Sequence, residues 1–210
     1  MRGWKQVDQA DAHYLEAGSL KLGTWDDYRT LENGRGDEYD ASVVVHSGII
    51  SGHQPGAYEA LRRLGHTEAE ARSMTAPHVH YLGEMNRTIT AVSPMYAFCV
   101  AEVGCDYDPS PAVPKATFEV AGLHSLAVRL RDLHPDLLGR HLIRRVTYSN
   151  VEIQAQSGEA IPRPSPFLKG LKFSIEREIR LVFLPVKRGP ISTLYTTSDK
   201  QVAALLRRRS

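Results

Sequence analysis

The 210-residue chain is 42% hydrophobic and 24% charged, with 16 Gly, 12 Pro and 2 Cys. That is the composition of a folded chain of mixed secondary structure, and it excludes collagen, coiled coil and wholesale disorder. A domain of this length buries roughly 70% of the surface its unfolded chain exposes, so it needs neither disulfides nor a structural metal to fold. Lys and Arg number 26 against 24 Asp and Glu, a formal charge of +2, too balanced to mark a nucleic-acid binder on composition alone.

In chain order, Arg2 to Val7 is extended, Asp8 caps a helix through QADAHYLEA, and Gly18 ends it, because glycine takes the left-handed conformation without strain. Leu20 to Thr24 reads as a strand, and WDDYRTLENGRGDEYD, dense in turn formers, as a charged surface loop. ASVVVHSGII is β-branched and reads as a strand. A helical insert follows at about 55–75, in which Thr67 and Glu70 have the spacing of a capping box. HVHYLG, RTITAV and MYAFCVAEV are strands, the last apolar enough to lie centrally in a sheet, and GCDYDPSPAVP is a loop. LHSLAVRLRDL carries a helical apolar period that Pro135 ends. HLIRRVTYSNVEIQ is another strand, and QSGEAIPRPSPF, with Pro162, Pro164 and Pro166, a solvent-facing loop. LKFSIEREIRLVFLP is the clearest strand of the chain. ISTLYTTS is a strand or loop before a final helix from about Asp199 through VAALLRRR. With no repeating βα unit, the order predicts one α+β domain over 1–210.

The opening MRGWKQVDQADAH has no signal-peptide pattern and no apolar run is long enough to span a bilayer, so a cytoplasmic protein without membrane contact is expected. Cys99 and Cys105 form no CxxC pair and read as buried or free thiols.

The sharpest local pattern is FSIEREIRLVF. In a strand Phe173, Ile175, Ile179, Leu181 and Phe183 share one face, interrupted only by Arg177, and Glu176, Glu178 and Arg180 share the other. Two carboxylates that close raise one another's proton affinity unless a cation compensates, and Arg180 can do so. Such a pair can bind sugar hydroxyls and stabilise a cationic sugar transition state. The same spacing also describes an amphipathic strand with a solvated front.

Around Leu20 to Asp40, Trp25, Tyr28 and Tyr39 stand among Arg29, Arg35, Asp37 and Glu38, a mixture of aromatic faces and guanidiniums suited to a nucleotide or to anchoring the loop on the core. His78 and His80 have a strand spacing compatible with two metal ligands, which Glu84, His46, His53 or His66 could complete, but with 9 histidines such a pair arises by chance. The basic clusters are Arg62–Arg63, Arg144–Arg145, Lys187–Arg188 and Arg207–Arg208–Arg209. The last sits at the end of the final helix, opposing its dipole. The nucleophile elbow, the phosphate-binding P-loop and the dinucleotide GxGxxG are all missing, which disfavours α/β-hydrolase, ATPase and Rossmann dehydrogenase chemistry.

YLEAGSLKLGTWDDYRTLENGRGDEYD, YAFCVAE and FSIEREIRLVF resemble a loosely defined group of bacterial proteins of unknown function, some encoded near phage-defence or abortive-infection genes. The order of elements also resembles the ADP-ribosyltransferase superfamily, of the Arg-type rather than the diphtheria-toxin-like subclass, since no His-Gly-Thr or His-Gly-Ser start exists. The resemblance implies a split sandwich of central mixed or antiparallel sheets with flanking helices, and NAD as co-substrate. It implies Glu178 as the catalytic carboxylate that binds the nicotinamide ribose and stabilises the oxocarbenium-like state, with Glu176 orienting or deprotonating the acceptor. Thr147 and Ser149, flanking Tyr148 where that superfamily has S-T-S, would help hold NAD, as would Arg2 on the first strand, or Arg29 with Tyr28 in its stead. Implied partners are a nucleic-acid or protein acceptor and an antitoxin, as for a defence toxin. The alternative is a non-enzymatic module of the same fold that binds nucleic acid or protein through Arg144, Arg145 and the terminal arginines. A metal-dependent hydrolase at His78 and His80 is a third reading.

Overall fold

The computed structural model describes residues 1–24, 27, 41–47, 50–51, 57–74, 80–81, 86–91, 94–103, 114–154, 160 and 162–209. Its strands are β1 (Gly3–Asp8), β2 (Lys21–Leu22), β3 (Ser42–Ser47), β4 (Ile50–Ser51), β5 (His80–Tyr81), β6 (Asn86–Ala91), β7 (Tyr96–Ala101), β8 (Lys115–Val120), β9 (Leu138–Arg145), β10 (Thr147–Ser149), β11 (Glu152–Gln154), β12 (Leu168–Gly170), β13 (Glu178–Pro185), β14 (Leu194–Tyr195) and β15 (Leu206–Arg208). The helices are α1 (Ala12–Glu16), α2 (Ala57–Arg63), α3 (Glu68–Met74), α4 (Leu123–Leu133) and α5 (Lys200–Leu205). The architecture is α+β.

Six strands in the order β15-β8-β1-β7-β13-β9 form the main sheet, in which every neighbouring pair is antiparallel. Strand alternation sorts its residues into two buried faces. On one, Tyr96, Phe98, Val100, Phe118, Ile179, Leu181 and Phe183 pack with Leu15 of α1, Leu126 and Leu130 of α4 and Val202 of α5. On the other, Ala97 and Val182, with Cys99 and Leu142 beside them, meet Ala41 and Phe167. Since both faces of β13 are covered, its charged residues cannot be a solvated front. A second sheet runs β11-β3-β6, and β10 pairs in parallel with β12.

Strands β1 and β7 share only the pair Trp4↔Ala101. Farther along the same edge of β7, Gly23 takes over: its N–H donates to the Ala97 carbonyl at 3.0 Å and its carbonyl accepts from the Ala97 N–H at 2.8 Å. Between those points the Cys99 carbonyl accepts instead from the Lys5 ammonium at 3.1 Å. The main sheet is thus parted between β1 and β7, and a lysine side chain satisfies a backbone acceptor that a strand would otherwise have met.

Several expectations are met at their residues. Gly18 ends α1 at φ +76, Thr67 and Glu70 exchange the hydrogen bonds of a capping box, and Asp199 caps α5 by accepting from the Val202 N–H at 2.9 Å. Others change. Asp8 stands at the N-cap position of a 3-10 turn, Gln9–Asp11, that leads into α1, but its side chain makes no cap hydrogen bond; its carboxylate takes the Lys115 ammonium directly across the strand pair instead. KATFEV, unassigned from sequence, is β8, with Ala116, Phe118 and Val120 turned into the core. The stretch 141–154 is not one strand but the end of β9 followed by β10 and β11. The terminal arginines do not cap a helix, since α5 stops at Leu205 and buried Leu206 pairs with Val120, which lays Arg207 and Arg208 along the sheet edge. Charged residues there discourage further strand pairing. The loop expected at 25–40 lies, apart from Asp27, outside the described residues, as does 104–113.

The largest correction concerns LKFSIEREIRLVFLP. Residues Leu171–Glu176 form a 3-10 helix, Arg177 takes a left-handed conformation at φ 42 and ψ 50, and the strand starts at Glu178. Ile175, assigned to the apolar back, is 73% exposed, whereas Glu176 and Glu178 are buried. The cause is electrostatic: Glu176 folds back on the tight 3-10 turn to reach the ammonium of Lys169 on β12. A straight strand would carry it away from that partner.

Candidate functional site

Four charged side chains meet where β12, the 3-10 helix and β13 converge. Lys169 donates to Oε2 of Glu176 and, at 3.1 Å, to Oε2 of Glu178. Arg180 donates from Nε to Oε1 of Glu178 at 2.6 Å, and from Nη1 to the Pro166 carbonyl at 2.9 Å. Two cations and two carboxylates make a neutral quartet, and its members are 7% exposed for Lys169 and Glu176, 8% for Glu178 and 0% for Arg180. Leaving any one of these charges buried alone would cost several kcal/mol, roughly.

Neighbouring strands complete the shell. Arg180 is in register with Cys99 on β7 and with Arg144 on β9. Cys99 and Glu178, on neighbouring strands, act on one another's proton affinity. The Glu178 N–H donates to the Tyr148 hydroxyl oxygen at 2.8 Å, and its carbonyl accepts from the Val146 N–H at 2.9 Å. β10 is thereby stitched to the first residue of β13.

Burial alone would raise the pKa of Glu178, but the charges of Arg180 and then Lys169 outweigh it and hold the carboxyl well below its ordinary value of 4.5. It is therefore ionised at neutral pH. Burial pushes the Cys99 thiol up, and the Glu178 charge adds to that, so Cys99 is no nucleophile. Tyr148 is pushed up to about 12, again first by burial. The Lys5 ammonium is drawn below its usual value by burial, while Cys99 and Glu178 pull the other way.

Of the residues singled out from sequence, the structure brings together Glu176, Glu178 and Arg180, and Tyr148 of β10 reaches them; Thr147 and Ser149 flank Tyr148 on that strand, and alternation turns their side chains to its other face. Arg2 stands apart. Its guanidinium is exposed and lies 3.9 Å from Glu119, and Glu119, Trp4, Ala101 and Glu178 follow one another across four strands, about 14 Å at ordinary strand spacing. Lys5, on the same strand, reaches the Cys99 carbonyl in the parting of the sheet and is the better-placed cation of β1. Arg29 and Tyr28 lie outside the described residues, as do His78, Glu84, His53 and Cys105 and the side chains of His46 and His80. Among the described residues no group of three or more His, Cys, Asp or Glu is placed to hold a metal ion.

The adjacent pair Arg144 and Arg145 is divided between the two faces of β9. Arg144 lies over the Phe167 ring at 5.7 Å, and Arg145 binds Glu102 at 2.5 Å together with Arg177 at 2.7 Å. They do not form one cationic patch.

Lys169 is the site residue that sequence reading missed. Its only local signal is a lysine between Leu168 and Gly170 in an otherwise apolar or proline-bearing stretch. No helix among the described residues is long and apolar enough to cross a membrane. No protein-family model matches this chain, and no curated protein or solved structure matches it either.

Proposed function

We propose that the chain is an NAD-dependent ADP-ribosyltransferase with Glu178 as its catalytic carboxylate. The observation that carries this reading is the convergence of an ionised, oriented Glu178 and a second carboxylate, Glu176, beside the hydroxyl-bearing strand β10. NAD supplies the ADP-ribosyl group and a nicotinamide that leaves as a neutral base. Glu178 opposes the positive charge that develops at the ribose carbon as that bond breaks, which requires a carboxylate charged at neutral pH and fixed in direction. Arg180 and Lys169 provide both conditions.

Glu178 already accepts from Arg180 and Lys169, and a ribose hydroxyl would use an acceptor site that these two leave on the carboxylate. Tyr148 brings the hydroxyl of β10 to the start of β13, and Lys5 takes the role first assigned to Arg2. Glu176 receives the proton given up by the nucleophilic group of a nucleic-acid or protein acceptor and later passes it to water.

The test is nicotinamide release by wild type and by Glu178→Gln, with circular dichroism to confirm that the variant is folded. Release that disappears in the variant supports the assignment. Equal release by both proteins removes Glu178 from the mechanism, and no release by wild type, together with an unchanged melting temperature at millimolar NAD, removes the transferase reading.

A second reading, nucleic-acid binding without catalysis, has a specific observation of its own. Arg209 lies over the Trp4 ring at 4.9 Å, and Arg2 and Arg209 share Glu119 on the outer part of the main sheet. An aromatic ring among guanidiniums is a platform for stacked bases. This surface replaces the Arg144–Arg145 pair as the candidate. Binding that ignores ionic strength, or survives Arg2→Ala and Arg209→Ala together, would remove it.

A further inference from the structure

We infer that the outer edge of β9 is a docking strand for an extended acidic segment of a partner protein, which joins the six-stranded main sheet beside Arg140, Leu142 and Arg144. The inference is independent of the transferase and nucleic-acid readings, since it uses none of the residues they rest on.

The argument starts from the backbone. The main sheet ends at β9, which pairs with β13 alone. The Val146 N–H donates to the Glu178 carbonyl at 2.9 Å, and in an antiparallel pair every second residue turns its N–H and C=O toward the neighbour. Leu142 and Arg144, opposite Val182 and Arg180, therefore bond to β13, whereas His141, Ile143 and Arg145 turn their N–H and C=O groups away from the sheet. Among the described residues no strand meets them. The edge belongs to a strand of eight residues without proline, long enough to carry a partner strand of ordinary length. Added strands bind such an edge through main-chain hydrogen bonds and are selected by their side chains.

Charge makes the selection. β9 carries Arg140, Arg144 and Arg145 and no carboxylate. Arg145 is bound to Glu102, but Arg144 lies against the Phe167 ring instead of a carboxylate, and it and Arg140 are exposed. Alternation sets these two on one face with Leu142 between them. The opposite edge differs: β15 has three residues, and the adjoining Arg208 and Arg209 are already bound to Glu16 and Glu119. A second copy of β9 would bring three arginines from each chain to one seam without a carboxylate of either strand, and like charges opposite one another in a sheet are destabilising. The arginines that repel a second copy thus favour an acidic partner. Opposite Arg140, Leu142 and Arg144 that partner places an acidic, an apolar and an acidic residue at alternate positions, a pattern that reads the same whether the strand runs parallel or antiparallel.

The experiment titrates the full chain with three end-capped peptides: Thr-Glu-Thr-Val-Thr-Glu-Thr, the same peptide with Lys for Glu, and Thr-Thr-Glu-Glu-Val-Thr-Thr, which keeps the composition but puts its carboxylates on opposite faces. Affinity and amide exchange are followed by NMR, and oligomeric state by sedimentation. The first peptide should bind at least about tenfold more tightly than the lysine peptide, because two cross-strand pairs change from attraction to repulsion, and at least about threefold more tightly than the rearranged one. Its binding should slow exchange of the His141, Ile143 and Arg145 N–H groups by about threefold or more, and leave those of Leu142 and Arg144, already bonded to β13, within about twofold. Arg140→Glu, a change at an exposed side chain, should cut the preference for glutamate over lysine by about threefold or more while circular dichroism stays that of wild type. Equal affinity for the three peptides, no binding at millimolar peptide, protection that falls elsewhere than on β9, or a preference untouched in folded Arg140→Glu overturns the inference. A chain that dimerises without peptide and protects the same three N–H groups also overturns it, giving the edge to a second copy.

Discussion

Replacing Arg180 with methionine tests the account of the quartet most directly. The guanidinium is fully buried and makes the 2.6 Å bond to Glu178 and the 2.9 Å bond to the Pro166 carbonyl. Breaking a buried ion pair from one side costs about 3–5 kcal/mol, because the surviving charge is stranded. Here Lys169 still touches Glu178 at 3.1 Å, which favours the lower end, and the orphaned carbonyl adds roughly 1 kcal/mol. The expected loss is thus about 3–4 kcal/mol against a total stability on the order of 5–15 kcal/mol, so the variant stays folded and measurable in urea. The pH dependence supplies the sign. Glu178 has a folded pKa below its ordinary 4.5, so its contribution is present above that value and lost as pH falls below it. Arg180→Met should therefore cost most near neutrality and progressively less in acid. In the Arg180→Met background, Glu178→Gln should cost less than it does alone, because it removes the stranded charge. A cost below about 1 kcal/mol, a cost that does not change with pH, or strict additivity with Glu178→Gln would each refute the reasoning.

Three further substitutions follow from the same geometry. Tyr148→Phe removes the acceptor of the Glu178 N–H and should lower stability in urea by about 1–2 kcal/mol, with no loss if water reaches that N–H. Arg177→Gly relieves a φ of 42, worth about 1 kcal/mol, and gives up a largely exposed guanidinium's bond to Glu102. The protein should be unchanged or slightly more stable, and a clear drop in melting temperature would mean that the Glu102 bond outweighs the strain. Gly18→Ala would set a Cβ 2.0 Å from the Asp199 carbonyl at a φ of +76, and should cost about 2 kcal/mol or more; a neutral effect would show that α1 and α5 can separate freely there.

The parts of this fold that the sequence discloses are those whose cause lies within a few residues. The helical period of Leu123, Leu126, Ala127 and Leu130 buries those side chains, and the Thr67–Glu70 box closes on itself. The central place of YAFCVAEV in the sheet follows from its apolar run. β8 was overlooked although Ala116, Phe118 and Val120 alternate with Lys115, Thr117 and Glu119. Thr117, Phe118 and Val120 favour a strand, but six residues with two charges directly after a proline-bearing stretch of sequence are a short signal, and tertiary pairing with β1 supplies the rest.

Glu176 and Glu178 were legible as a pair for a reason that does not hold. Strand alternation placed them on one face, yet no strand joins them: a 3-10 turn and a left-handed Arg177 do. Alternation and the folded turn give the same juxtaposition but opposite consequences for the intervening residues, since Ile175 is put into solvent instead of the core. What decides between them is Lys169, seven positions before Glu176 and invisible to any local period. A buried ammonium needs carboxylates, and the chain bends to deliver two, at the expense of two apolar contacts from Leu171 and Ile175. Burying both isoleucine and leucine would be worth roughly 3–6 kcal/mol, comparable with the cost of leaving Lys169 and Glu176 unpaired. The pairing of Lys169 with Glu176 thus offsets the apolar burial that Leu171 and Ile175 give up.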